Sequence, residues 1–272
     1  MCRFFICCNA GDQYLYCIMS RHLLQFCFSI FFFIVVTVAK GQIVNVESAR
    51  MQSDTTGWMG SFGAGLSFSR DKQSVLGIDL DSHLQYKTKK DLWLILGHYG
   101  FLEGGREKFI YNSLGHIRYN TKLNDWLRWE AFAQMQNNLL TQIQSRFLLG
   151  TGPRFKIVST EKFHFYAASL IMYERETEKT KPPVRHFDWR NSSYVSFTII
   201  PSKTVEIITT TYFQPLIKFF ADWRILNQLV INVKASKHFE MSVRWNYLHD
   251  RYPAGTAPKT TYSFDTGGKF NL

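Results

Sequence analysis

After residue 41 this 272-residue chain has no cysteine; Cys2, Cys7, Cys8, Cys17 and Cys27 all precede it. That absence excludes disulfide staples and cysteine metal sites from the main body of the protein. No apolar run there approaches the roughly 20 residues that a membrane helix needs. Helical periodicity is weak throughout. Long runs of one charge are also missing. The chain carries 32 basic and 21 acidic side chains, but the basic surplus is scattered through turns. It forms no stripe of the kind that grips nucleic acid.

What is present begins with "MSRHLLQFCFSIFFFIVVTVAKGQ" from Met19. Arg21 and His22 form a short basic region, and residues 23–38 an apolar one. Ala39-Lys40-Gly41 then places small residues ahead of Gln42. This is the pattern of a secretory signal peptide over 19–41 with cleavage before Gln42. A membrane anchor is the alternative, but the run is short and ends in a cleavage motif. Residues 1–18 fit no part of a signal peptide and read as an upstream extension, with Met19 the true start. Residues 42–56 read as an N-terminal periplasmic segment.

The stretch "LRWEAFAQMQ" at 127–136 alternates. Leu127, Trp129, Ala131, Ala133 and Met135 share one face. Arg128, Glu130, Phe132, Gln134 and Gln136 share the other. Period two predicts a strand. The same alternation recurs to the end of the chain. It predicts about twelve strands, near 57–69, 74–87, 91–101, 108–120, 126–137, 145–159, 162–174, 187–200, 203–213, 222–234, 239–249 and 260–272. Pro153 fits poorly inside a paired strand and predicts a bulge.

The connections alternate in length. "TKKD", "NTKLND", "STEK", "PSKT" and "ASKH" are short. "LEGGREK", "NLLTQIQS", "RETEKTKPPVRH", "QPLIKFFA" and "DRYPAGTAPK" are long, while "SRDKQS" breaks the rule. Short turns at one end and long loops at the other mark an outer-membrane barrel. A soluble sandwich or lipocalin-like barrel also alternates. However, aromatics make up 16% of residues. Trp58, Trp126, Tyr212, Trp223 and Tyr247 fall near strand ends, where interfacial girdles lie. The chain closes on "DTGGKFNL", with Phe270 and Leu272 on one face. Barrel-assembly machinery reads such a last strand.

"IVNVESAR" at 43–50, Gly57-Trp58, and "WEAFAQMQNNLLTQIQSRFLLGTGPRFKI" at 129–157 resemble one family. It is the outer-membrane barrel family known as domain of unknown function 481, some members of which are called salt-induced outer-membrane proteins. The resemblance extends over most of 42–272. It implies the fold, an outer-membrane location and a part in osmotic or salt adaptation of the envelope. It implies no catalytic residue and no substrate.

Several constellations invite chemistry. Asp79, Asp81 and His83 share the non-lipid face of one strand and could hold a cation. A solvated lumen wall is the plainer reading. Ser193, Ser196, His164 and His186 are candidates for a membrane-embedded hydrolase of the outer-membrane phospholipase type. None sits in a recognisable nucleophile motif. Gly63/Gly65 and Gly150/Gly152 lack the helix and lysine of a phosphate loop, and read as sites of strand curvature or close packing. Residues 175–186 could recognise a surface ligand, or form a plain solvated loop.

The residues together predict an all-β protein. It is a monomeric transmembrane antiparallel up-and-down barrel over 57–272, following a cleaved signal peptide. A Gram-negative outer membrane, reached by the general secretory route, is the expected location. Outer-membrane lipid and the assembly machinery are the expected partners, and nucleic acid is not one. No catalytic residue, cofactor or metal is assigned. Eight strands leave a lumen filled by side chains and 16–18 leave an open channel, so twelve lies between. Arg128, Glu130, Arg146, Arg154, Lys156, Glu206 and Arg244 are expected to form a lumen-facing charge network. The expected role is a narrow channel or an envelope component, with the barrel hydrolase as alternative.

Overall fold

A computed structural model describes residues 56–70, 74–104, 107–139, 141–236 and 239–270. The segment 19–41 expected to be a signal peptide, all five cysteines, residues 43–50 and the terminal Leu272 lie outside the described residues. The elements are β1 (Gly57–Arg70), β2 (Ser74–Lys87), β3 (Asp91–Gly104), β4 (Glu107–Lys122), β5 (Leu127–Asn138) and β6 (Ile143–Ser159). They continue with β7 (Phe163–Glu178), β8 (Arg185–Ser202), β9 (Val205–Leu216), β10 (Phe219–Lys234), β11 (Phe239–Asp250) and β12 (Thr260–Phe270). All twelve lie in one sheet in sequence order, each antiparallel to the next. This is a transmembrane up-and-down barrel. Among the described residues no helix is long and apolar enough to cross a membrane. The strands do the crossing, because their backbone groups pair with neighbours rather than with absent water.

The alternation sorts the side chains. Trp58, Phe62, Leu66, Trp129, Met135, Leu149, Ile171, Trp189, Phe213 and Phe264 stand exposed on the outside. Glu130, Arg154, Glu174, Arg190 and Arg224 are buried inside. That inversion suits a protein whose outer solvent is hydrocarbon. Aromatic pairs ring both ends. Trp58–Tyr86, Trp93–Tyr119 and Trp126–Phe155 lie near the short turns. Tyr173–Trp189, Phe213–Trp223 and Phe219–Tyr252 lie near the other end. Tyr212 does not join a girdle. It sits at an even, inward position of β9 and is only 6% exposed.

Two further expectations are corrected. Most of the long loops are drawn into strands. β3 runs to Gly104 and β4 starts at Glu107, while β9 and β10 are joined by Ile217 and Lys218 alone. Strands of up to 18 residues exceed the 9–11 that a bilayer requires. Beyond the lipid the hairpins continue to pair, since each backbone group otherwise needs water. Pro153 causes no bulge. Thr151 pairs with Ile171 and Arg154 with Ala168, so the register across Gly152 and Pro153 is unbroken. The ladder passes over the missing N–H, and the irregularity falls at Lys156/Val158 instead.

Candidate functional site: a lumen filled on one side

The inward face of β4–β10, with Asp250 of β11, is packed in three levels. Near the short turns lies Glu130, fully buried on β5. Its Oε2 accepts from Arg118 Nη1 at 3.1 Å and from the Tyr194 hydroxyl at 2.8 Å. Its Oε1 accepts from Asn120 Nδ2 at 2.5 Å, and Arg154 Nε stands 3.7 Å away. The Arg154 guanidinium also lies 3.8 Å from the centre of the Tyr166 ring, within cation–π range. Tyr194 belongs to β8, so its bond to Glu130 crosses the lumen rather than following the sheet.

Above this level is an apolar layer of Phe132, Leu148, Ala168, Leu170, Met172 and Tyr212, with Leu226 against it. Gly150 makes room for the Phe132 ring, which a Cβ at that position would strike. Gly152 likewise allows close approach of the β7 backbone at Ser169 and Leu170. These glycines therefore serve packing.

The third level surrounds Glu174 on β7, which is 1% exposed. Three arginines converge on its carboxylate: Arg146 Nε at 2.9 Å, Arg190 Nε at 2.7 Å and Arg224 Nη1 at 2.8 Å. Each arginine has a second acid. Arg146 reaches Glu176, Arg190 reaches Asp222 at 2.9 Å, and Arg224 reaches Asp250 at 2.9 Å. The cluster joins β6, β7, β8, β10 and β11. Burial strengthens such pairs only because nearly every charge is answered.

The segment 251–259 folds over this end. Ala254 is buried at 6%. Gly255 N donates to Glu178 Oε2 at 3.0 Å, and Thr256 N to Gln142 Oε1 at 3.0 Å. Gly255 has a φ of +52°, and a Cβ there would meet the Gln142 side chain. A cavity of about 90 Å³ remains beneath, lined by residues including Gln134, Gln136, Asn138, Arg146, Arg224 and Ala254.

The other side of the lumen differs. On β1 the inward positions are Met59, Ser61, Gly63 and Gly65, and the last three are exposed. Asp81 on β2, Arg244 on β11 and Gly267 on β12 are exposed on the same inner face. Gln85, Asn246 and Ser263 on the same side are buried, so the wet part of this wall is confined to the exposed inner positions at the two ends of the sheet.

Of the residues singled out by alternation, Glu130, Arg146 and Arg154 belong to the two clusters. Arg128 is half-buried on the inner face of β5, across the register from Arg154. Lys156 and Glu206 lie inward but outside both clusters, with Glu206 accepting from Asn232 Nδ2 at 3.3 Å. Arg244 faces the wet wall. Alternation missed Arg118, Glu174, Arg190, Arg224 and Asp250. Each occupies the inward parity of its strand, so extending the parity rule to every strand would have found them.

The cation and hydrolase candidates are also rearranged. Asp79 and Asp81 meet His98 of β3, a residue outside the expected set. Cross-strand register, which one strand's alternation cannot reveal, pairs Asp81 with His98. Ser196 bonds the Thr210 hydroxyl at 2.9 Å, and Ser193 bonds Ser169 and Asn191. His164 bonds Ser159 at 3.0 Å and His186 bonds Glu178 at 2.7 Å. No described contact joins either candidate serine to a histidine, so the hydrolase reading is not favoured.

A lipid-facing exterior around a charged, partly filled lumen defines an outer-membrane-type β-barrel. The family model described as "Protein of unknown function, DUF481" matches residues 62–268, and the chain belongs to that family. No curated protein matches it. Among solved structures it is similar to the NanC porin, at 11% identity and a TM-score of 0.49, over 78% of this chain and 98% of that one. It is also similar to the β domain of the Bordetella autotransporter BrkA, at 13% identity and a TM-score of 0.38, over 79% and 98%. A bacterial polysaccharide outer-membrane secretin aligns at 8% identity and a TM-score of 0.41, over 77% and 89%.

Proposed function

We propose that the protein is a narrow passive channel for small hydrated solutes in the Gram-negative outer membrane, with a part in osmotic or salt adaptation of the envelope. The asymmetry of the lumen carries this reading. Acid–arginine clusters and an apolar layer block the side formed by β4–β10. Ser61, Gly63, Gly65 and Asp81 are exposed on the inner face of β1 and β2. Arg128, Glu130, Arg146 and Arg154 act in this scheme as the fixed wall, Arg244 as a pore-lining charge, and Lys156 and Glu206 as inward charges outside the packed clusters. Export as the mature chain from Gln42, and insertion by the assembly machinery through β12, complete the scheme.

Single-channel recording in planar bilayers tests it. Gly65→Trp should lower the wild-type conductance by at least half, because it narrows the wet wall. Replacing 252–258 by a two-residue turn should leave conductance nearly unchanged, since the packed levels remain below. A silent wild type would favour a passive envelope component. A large rise on loop removal, with Gly65→Trp inert, would route the passage through the other side.

Thiol labelling tests location. All cysteines precede Gln42, so Lys179→Cys and Lys203→Cys each give the mature chain one thiol. Both positions are exposed, at opposite ends of the strands. An impermeant maleimide on whole cells should label residue 179 and miss 203 until the outer membrane is opened. The reverse pattern would invert the topology, and labelling of neither would favour a soluble periplasmic barrel.

A further inference from the structure

We propose that Asp79, Asp81 and His98 form a binding site for a divalent transition-metal ion on the wet wall of the lumen. The three side chains come from paired strands, with Asp81 opposite His98. One ligand atom from each lies within 4.8 Å of the others. His98 Nδ1 is 2.8 Å from Asp81 Oδ1 and 3.9 Å from Asp79 Oδ1.

The hydrogen-bond chemistry of His98 points to a cation. Its Nε2 lies 3.1 Å from Oδ1 of Asn112, a residue only 1% exposed. An amide oxygen only accepts, so Nε2 carries the proton in this arrangement. In a neutral imidazole, Nδ1 then presents a lone pair. That lone pair faces two carboxylates, which have no proton to give when ionised. A cation placed between them meets three ligand atoms. A metal ion would draw on all three ligands, and Asn112 would be the outer partner that fixes the ring of a metal-bound histidine. Gly100 makes this possible, since a Cβ there would strike Asn112 Oδ1 and lie 3.2 Å from His98 Nε2.

The surroundings suit an ion that arrives from water. Gly63 and Gly65 of β1 stand opposite Asp81 and Asp79, so no β1 side chain occupies those two positions. The carboxylates are 66% and 36% exposed while His98 is 11% exposed. This gives an entry path and room for water ligands around a held imidazole. One nitrogen and two carboxylates favour Zn²⁺, Fe²⁺ or Mn²⁺ over the all-oxygen preference of Ca²⁺ and Mg²⁺.

Calorimetric titration of the refolded, chelator-treated barrel with ZnCl₂ tests the site without relying on conductance. One Zn²⁺ per chain is expected. His98→Gln and Asp81→Asn should each weaken binding more than tenfold. Asn112→Ala should weaken it about 10–100-fold, with heat-modifiable migration on gels confirming that each variant is folded. CaCl₂ at the same concentration should give no comparable heat. Undiminished Zn²⁺ binding by His98→Gln, equal affinity for Ca²⁺, or no Zn²⁺ binding by the wild type would overturn the proposal.

Discussion

Glu174→Ala should remove about 3 kcal/mol from the unfolding free energy of the barrel in lipid vesicles. Breaking a buried ion pair by deleting one partner typically costs about 3–5 kcal/mol, because the remaining charge stays desolvated. Here three arginines lose their shared acceptor at once. The lower end of the range applies because Glu176, Asp222 and Asp250 still answer them. Urea unfolding followed by tryptophan fluorescence would measure the loss. Asp125→Asn is the matched surface control. Asp125 pairs with Lys122 at 2.6 Å in a solvated turn. The hydrogen bond and charge of Lys122 hold its carboxyl below the ordinary value. Such exposed pairs are screened, and no measurable change is expected. Equal effects of the two substitutions would mean that the lumen cluster is wet.

The difference between those two pairs also shows what the sequence makes legible. Strand positions follow from alternation alone, and β2 falls at 74–87 in both sequence and structure. The face of Arg128, Glu130 or Trp129 follows from parity, because a one-residue slip would invert the whole strand. Partners are another matter. That Tyr194 crosses the lumen to Glu130, or that Arg224 reaches Glu174 from three strands away, depends on barrel diameter and side-chain length. Neither is a local property. His98 was missed as a partner of Asp81 for the same reason: the contact is set by the register between β2 and β3. Loop lengths misled because Gly and charged residues in "LEGGREK" look like a loop, while Glu103 and Gly104 of β3 pair with Lys108 and Glu107 of β4. Tyr212 looked like an interfacial ring because it lies close to a strand end, but parity turns it inward.

Inserting the same arginine on two faces should give opposite outcomes. Leu149 on β6 is 52% exposed on the outer face, between the Phe147 and Phe155 positions. Leu149→Arg should destabilise the barrel in vesicles by about 2–4 kcal/mol, the cost of a lipid-facing arginine near the bilayer midplane. Ser61 on β1 is also exposed, but on the inner face opposite His83. Ser61→Arg should change stability by less than about 0.5 kcal/mol, as substitutions in water usually do. Relative exposure does not separate the two sites, so the nature of the solvent decides. In a water-soluble barrel Leu149→Arg would be harmless or helpful, because it would replace an exposed apolar group. In a membrane barrel with a filled lumen throughout, Ser61→Arg would be as damaging as Leu149→Arg. The expected pair, one large and one near zero, requires both a hydrocarbon exterior and water along β1. Parallel urea titrations of the two variants in the same vesicles measure it directly.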